Sequence, residues 1–527
     1  MLRSMQEQVC RLSADGSPLI ATGRSTDLAE EVRAAHRRSL KSTGNFDIHQ
    51  ELEKVLNGVG LSAEDAGGKI EFTGQDPIVK SVFRLASAAA IGLVAKAVGM
   101  AKLWRMRGGS GQDISLNLGQ ALHRLSPFYD RKWEKLNGFA PGTPSDPTNP
   151  FMPNRFYDTK DDRKVMILNL YPRLKTSMLR FLDCSDDPGK IALAVKNWNA
   201  RDLEDACELH GLQCTMVRSV DEFMREEQYK QIVSQLPLIE LEKIGDSRPE
   251  PIPQGGRSPL DGYRALGLGH VIAGPATGRA LALHGADVLN IWRPSDFEMD
   301  LVYCTSNVGM RSSTLDLLAE SGQSQMKRLL STADIFFANR RGGYLQKLGL
   351  SPANVANTRP GIIHVNISLY GESGPWVNRI GFDQNAGCAT GIYASEGSLT
   401  SPALSSVFVV NDYLMGWLAT VGIQAALLRR ATEGGSYRVH VCLSRVSMWM
   451  HTLGIFDQNW AATTAGSSGD HLYTDPETFE AHTPCGIYQG VTEQVRMSKT
   501  TGSYETVLVP RGSSQPAWKS RPSIASR

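Results

Sequence analysis

The sequence predicts an α/β protein built on a Rossmann-like parallel sheet. Three observations carry that prediction. Short apolar runs alternate with helical patterns from residue 261 onward, and a glycine-rich turn joins the first run to the first helix. The composition is also that of an ordinary globular chain: 41% of the 527 residues are hydrophobic and 21% are charged.

Taken in order, residues 263–268 read as a short buried strand, 269–274 as a Gly-rich turn, and 275–284 as a helix. Residues 286–291 form the next strand, ended by Trp292-Arg293-Pro294. A helix over 321–330 precedes a strand at 333–337, and 361–368 is a further strand. Strands alternating with helices imply a parallel sheet covered on both faces. Two proline-rich stretches punctuate the chain, at 139–154 and 245–260. Proline fixes φ and removes a donor, so both are expected to be extended connectors, the second marking a domain boundary.

Charge and cysteine usage narrow the function class. Lys plus Arg number 56 against 54 for Asp plus Glu, a net charge of +2, which argues against a dedicated nucleic-acid binder. No apolar run is expected to approach bilayer-spanning length, and the N-terminal MLRSMQEQVCRLSADG lacks the apolar core of a secretory signal. Eight scattered cysteines fit a reduced compartment. The expected setting is the cytoplasm, with no membrane or nucleic-acid partner.

The chain also repeats itself. Residues 421–443 (VGIQAALLRRATEGGSYRVHVCL) match 98–118 (VGMAKLWRMRGGSGQDISLNL), each a helix ending in basic residues, then a Gly/Ser turn and an alternating strand. So long a separation implies duplicated domains rather than a solenoid. The expected division is a first copy over 1–245, a linker over 246–260 and a second copy over 261–527.

Two segments carry candidate chemistry. The turn from Gly267 to Gly274 resembles a dinucleotide fingerprint without its G-x-G-x-x-G spacing, and Arg293 stands where an NAD enzyme wants an acid. A cation there suits a phosphorylated ribose or an adenine face, as in coenzyme A or NADP; a tight turn with no ligand is the plain alternative. Asp412 precedes a long helix rich in small residues (Gly416, Ala419, Gly422). On position alone it is either an N-cap or a nucleophile held among N–H donors. Cys207, His210 and Cys214 have a metal-like look, but the segment reads as a helix end running into a strand, and no metal is expected.

From 259 onward the chain resembles the family III CoA-transferases, the CaiB/BaiF group of carnitine dehydratase-like and bile-acid-inducible proteins. The resemblance rests on collinear pieces: PLDGYRALGLGHVIAGPATGRALALHGADVLNI, STLDL, ADIFFANRRGGYLQKLGL, RPGIIHVNISLYGESGPW, GFDQNAGCATG and NDYLMGWLATVGIQAALLRRATEGGSYRVHV. It implies a CoA-binding domain with a smaller α/β domain, and it places the family's nucleophile on Asp412. It puts Val271, Ile272 and Ala273 along the pantetheine and thioester, and Arg293 at the adenosine end. Asn339 and Lys347 fall in CoA-contacting segments, although Gly342 replaces the usual proline and Lys347 the commoner Arg. The family's glycine-rich loop corresponds to 511–518, giving Gly512, Ser513, Ser514 and Gln515 as further contacts.

Residues 60–245 resemble the later part of the same family; NRFYDTKDDRKVMILNL looks like its Y-x-T-x-D-G-R-x-V hairpin, with Asp162 for the glycine. Aligning the repeats places Ala89 opposite Asp412. The resemblance therefore implies a tandem protein with a degenerate first copy, a pseudo-dimer within one chain or a homodimer. The implied function is an acyl-CoA:carboxylate CoA-transferase, working through an aspartyl anhydride and an aspartyl-CoA thioester on Asp412, with an acyl-CoA donor, a carboxylic acid acceptor and no permanently bound cofactor. The alternatives are an α-methylacyl-CoA racemase, whose expected His is replaced by Phe382 in Gly381-Phe382-Asp383, and a non-catalytic acyl-CoA-binding protein.

Overall fold

The structure, a computed structural model, describes residues 27–142 and 155–520 apart from Asn169 and Gly342. The N-terminal segment read for a leader and most of the 139–154 stretch lie outside the described residues, as does Gly342. At the centre is a seven-stranded sheet. Across it run Arg311–Thr314, Asp287–Trp292, Arg264–Leu268, Ile335–Ala338, Ile363–Ser368, Ser436–Cys442 and Glu240–Gly245. The first six strands are parallel and the last is antiparallel. The α/β class and the strand positions read from the sequence are those observed. Chain order reverses between Arg264–Leu268 and Ile335–Ala338, which opens a crevice beyond their carboxyl ends.

Small residues let helices close over this sheet. The Ala273–Leu283 helix meets the Val410–Glu433 helix at Gly416, where an added Cβ would stand 2.7 Å from Ala276 Cβ and 3.0 Å from the Thr277 backbone nitrogen. The Val410–Glu433 helix packs on its other side against Leu85–Met106, where Gly99 leaves room for Gln424, whose amide donates to the Lys96 carbonyl at 2.8 Å. Leu85–Met106 corrects one expectation from the sequence: it is long and apolar enough to cross a membrane, with a mean hydropathy of 1.4. Here 94% of that window is buried inside the protein, so core packing accounts for its apolarity.

Strands from both sides of the 246–260 connector share sheets. Glu240–Gly245 completes the central sheet, Arg496–Met497 joins Ile70–Thr73 and Ile114–Asn117, and Lys135–Leu136 joins the Thr478–Thr483/Gly486–Val491 hairpin. The connector lies across the ends of both long helices: the Gly255 N–H donates to the Arg107 carbonyl at 2.9 Å, and the Glu250 N–H to the Arg430 carbonyl at 3.1 Å. The hairpin of Phe156–Asp158 and Lys164–Met166 turns through Asp162 at φ +55°, a left-handed conformation that Asp tolerates better than most residues.

Candidate active site

Asp412 is the third residue of the Val410–Glu433 helix, whose N-cap is Val409. It is therefore not the cap itself. Its backbone N–H donates to Asp383 Oδ2 at 3.0 Å, while the Asn411 side chain donates to Asp383 Oδ1 at 2.8 Å. Asp383 opens the Asp383–Thr390 helix and reaches across to satisfy the start of its neighbour. Both carboxyls are buried. Burial pushes the Asp383 carboxyl up to about 7, although its two donors favour the charged form. Burial, followed by the Asp383 charge, raises Asp412 well above the usual carboxylate range. Asp412 is thus a carboxylate of enhanced basicity at the head of a helix.

The Leu85–Met106 helix has a similar arrangement. Its third residue is Ser87, whose N–H donates to the buried carboxylate of Asp76 at 2.7 Å. Counted from the helix starts, Ser87 holds the third position that Asp412 holds in its own helix, while the repeat alignment sets Ala89 opposite Asp412.

The glycine-rich turn lies at the crevice. Two side-chain amides clamp it, that of Asn290 buried and that of Asn339 half-buried. The Asn290 side chain accepts from the Gly269 N–H and donates to the Gly269 carbonyl, at 2.9 and 3.0 Å, and the Asn339 side chain does the same for His270, at 2.9 and 2.6 Å. Val271 follows at φ +61°, a conformation that costs a β-branched residue about 1–3 kcal/mol. Its N–H donates to Glu298 Oε2 at 2.9 Å, and its carbonyl accepts from Ser306 Oγ at 2.9 Å. Ile272 is the N-cap of the Ala273–Leu283 helix, and no side chain caps it. First-turn N–H groups there can meet an anionic or polarised oxygen.

Tyr171 links the two sides. Pro172 holds it extended, its ring stacks on Phe382 with centroids 5.7 Å apart, and its hydroxyl donates to Glu298 Oε1 at 2.9 Å. Burial and then the Glu298 charge raise its phenol far above 10, so it stays a donor.

Arg293 lies farther out, its side chain 39% exposed and paired with Asp296. Arg340 pairs with the same carboxylate at 3.1 Å, and Arg511 bonds the Asp296 carbonyl. Burial would raise the Asp296 pKa, but Arg293 and Arg340 outweigh it and hold the group at about 2. Arg341 has its pKa lowered by burial and then by Arg173 and Arg293, which marks a crowded cationic surface suited to phosphate. Lys347 is exposed at the end of the Tyr344–Lys347 helix, whose Tyr344 ring lies 5.4 Å from the Arg293 guanidinium.

The 512–515 segment runs along the outer edge strand Arg311–Thr314. The Gly512 N–H donates to Ser312 Oγ at 2.9 Å and the Ser514 N–H to the Ser312 carbonyl at 2.7 Å. These bonds and a bridge between Ser513 and Ser313 hold the segment on the edge strand, and the preceding Arg511 is the residue that reaches the Asp296 carbonyl of the arginine cluster. Among the described residues none of them bonds Asp412. Cys207, His210 and Cys214 fall where the sequence put them, at a helix end and just before Thr215–Met216, with His210 packed on Phe181. Among the described residues no cluster is built to hold a metal ion.

The sequence left Asp383, Glu298 and Tyr171 out of the candidate site. Only Asp383 had a signal, in the Gly381-Phe382-Asp383 segment, where it was read for the missing His rather than for the carboxylate.

Residues 260–501 match the profile of CoA-transferase family III. The chain is 32% identical to an acetyl-coenzyme A transferase of Hypoxylon pulicicidum, covering 39% of this chain and 36% of that protein. It is 31% identical to a probable fatty acyl-CoA transferase of Mycobacterium tuberculosis, over 36% of this chain and 52% of that one. It is 29% identical to a formyl-CoA:oxalate CoA-transferase of Escherichia coli, over 38% and 51% respectively. The chain thus spans about half or less of each of these relatives. A crystal structure of the Mycobacterium tuberculosis protein aligns at 29% identity over 37% of this chain and 58% of that one, with a TM-score of 0.33.

Proposed function

Because residues 260–501 match CoA-transferase family III, we propose that this protein moves CoA from an acyl-CoA donor to a carboxylic acid acceptor, with Asp412 as nucleophile. The observation that supports this most is the Asp412 carboxyl itself: buried, raised in pKa by burial and Asp383, and set on a helix packed directly against the one that begins at Ala273.

The Asp412 carboxylate attacks the donor thioester carbonyl; a C–O bond forms, the C–S bond breaks, and CoA leaves as thiolate. The thiolate attacks the aspartyl carbonyl of the anhydride, which releases the donor acid and leaves an aspartyl-CoA thioester. The acceptor carboxylate attacks that thioester to form a second anhydride, and the returning thiolate takes the acceptor acyl group and frees Asp412. Covalent catalysis replaces one difficult exchange with steps of comparable energy. The N–H groups of Ile272 and Ala273 are the donors for the transient oxyanions, since that of Val271 is held by Glu298. Arg293, Arg341 and Lys347 face the phosphates, and Asn339 serves them by fixing the turn. A cytoplasmic setting fits thioester substrates and the seven free thiols among the described cysteines.

The test offers succinyl-CoA or acetyl-CoA with a panel of carboxylic acids and reads the products by mass. Asp412→Ala is expected to lower transfer by about three orders of magnitude or more while the protein stays folded. Hydroxylamine should inactivate the wild type only when acyl-CoA is present. An Asp412→Ala variant retaining a tenth of wild-type activity would overturn the assignment.

A further inference from the structure

Glu298 is a buried acid that the proposed mechanism does not use, and its surroundings give it a specific task. Its carboxylate accepts from the Val271 N–H at 2.9 Å, from the Met299 N–H at 3.1 Å and from the Tyr171 hydroxyl at 2.9 Å, and His270 Nε2 lies 3.5 Å away. Its side chain is 1% exposed. A carboxyl group so deeply buried needs hydrogen-bonding partners for its oxygens.

Two of those donors come from opposite sides of the crevice. Val271 is the residue held at φ +61° immediately before the uncapped helix start. Tyr171 belongs to the chain before the connector, and it stacks on Phe382, next to the Asp383 that holds the Asp412 N–H. One carboxylate therefore ties the turn that would face the thioester to the residues that hold the nucleophile.

We propose that Glu298 is a positioning residue for CoA transfer: it fixes the Val271 turn and, through Tyr171, sets the spacing between that turn and Asp412. The inference rests on the transferase reading above. It requires an acceptor at Oε2 for Val271 rather than a charge, so glutamine should largely replace glutamate and alanine should not.

Two measurements on the full-length protein test it. The first is amide hydrogen exchange of the peptide spanning residue 271, without substrate. Exchange should rise at least tenfold in Glu298→Ala and stay within threefold of wild type in Glu298→Gln. The second is steady-state transfer: Glu298→Ala should lose about 50-fold in kcat with KM for acyl-CoA changed less than threefold, Glu298→Gln should recover to within about fivefold, and Tyr171→Phe should fall between them. Wild-type kcat in Glu298→Ala overturns the positioning role and leaves the transferase reading standing. Equal losses in Glu298→Gln and Glu298→Ala overturn it too, because the charge itself would then be needed. If wild-type protein transfers CoA between none of the substrates while the exchange pattern follows expectation, it is the transferase reading that fails, and the catalytic meaning of Glu298 with it.

Discussion

Asp412 and Asp383 occupy one buried corner, and the Asp383 charge opposes ionisation of Asp412. Burial carries both above the ~3.9 of an unfolded aspartate, to about 7 for Asp383. Over that window the folded state holds more protons than the unfolded one, so the pair's contribution to stability falls as pH rises through it. A nucleophile must be unprotonated, so kcat/KM should rise with pH over the same window. Asp383→Asn removes the neighbouring charge while keeping an oxygen for the Asp412 N–H. It is expected to move the acid limb of the profile down by about one unit or more, and to raise the melting temperature more at pH 8 than at pH 5. An unmoved limb would show that burial alone sets the Asp412 pKa. An acid before a run of small helical residues is a local pattern that reads as an N-cap or a nucleophile, and the resemblance to family III CoA-transferases is what singles out Asp412. Its partner Asp383, and the Glu298 and Tyr171 that meet at the glycine-rich turn, were not legible, because they act through space, and nothing about an isolated acid or tyrosine announces which group it will meet. Arg293 was legible as a cation at a strand end, whereas the shared use of Asp296 by Arg293 and Arg340 was not.

Among the elements, the contact of the Val410–Glu433 helix with Ala273–Leu283 matters most, because it joins the proposed nucleophile to the glycine-rich turn. Gly416 is the point of closest approach, one turn after Asp412, and the atoms in the way include backbone, which cannot rotate aside. Gly416→Val should destabilise the protein by about 2–3 kcal/mol by overpacking, and transfer should fall further than the loss of folded protein explains. Gly469→Ala, where an added Cβ meets nothing within 4 Å, is the control and should stay within about 0.5 kcal/mol. Denaturant midpoints decide it; equal midpoints for the two variants would mean the helices can separate freely. Strand and helix periodicity were read to within about two residues because burial repeats every 2 or 3.6 positions. The start of the Asp412 helix was read late, since its cap is a side chain 29 residues upstream rather than a local Ser or Asp. Asp76 likewise caps the Leu85–Met106 helix from a distance, 11 residues upstream of Ser87.

For the whole molecule, the question is whether residues before and after the connector form one folding unit. Three sheets take strands from both sides of it, and Glu240–Gly245 covers what would otherwise be the open edge of Ser436–Cys442. Leu85–Met106 covers the Val410–Glu433 helix, and Tyr171 reaches the crevice from the first part of the chain. We expect the proposed division into 1–245, 246–260 and 261–527 to describe ancestry rather than independent stability, with the first part standing in for a missing partner subunit. Expressed alone, 255–527 would expose a sheet edge and a long apolar helix face, so it should aggregate or remain inactive. Co-expression with 1–250 should restore soluble, active protein, and calorimetry on the full chain should give about one CoA site, because Ala89, opposite Asp412 in the repeat alignment, offers no carboxylate, and neither does Ser87. A 255–527 fragment that is soluble, monomeric and fully active would refute the shared core, and a stoichiometry near two would show that the first part retains a CoA site of its own.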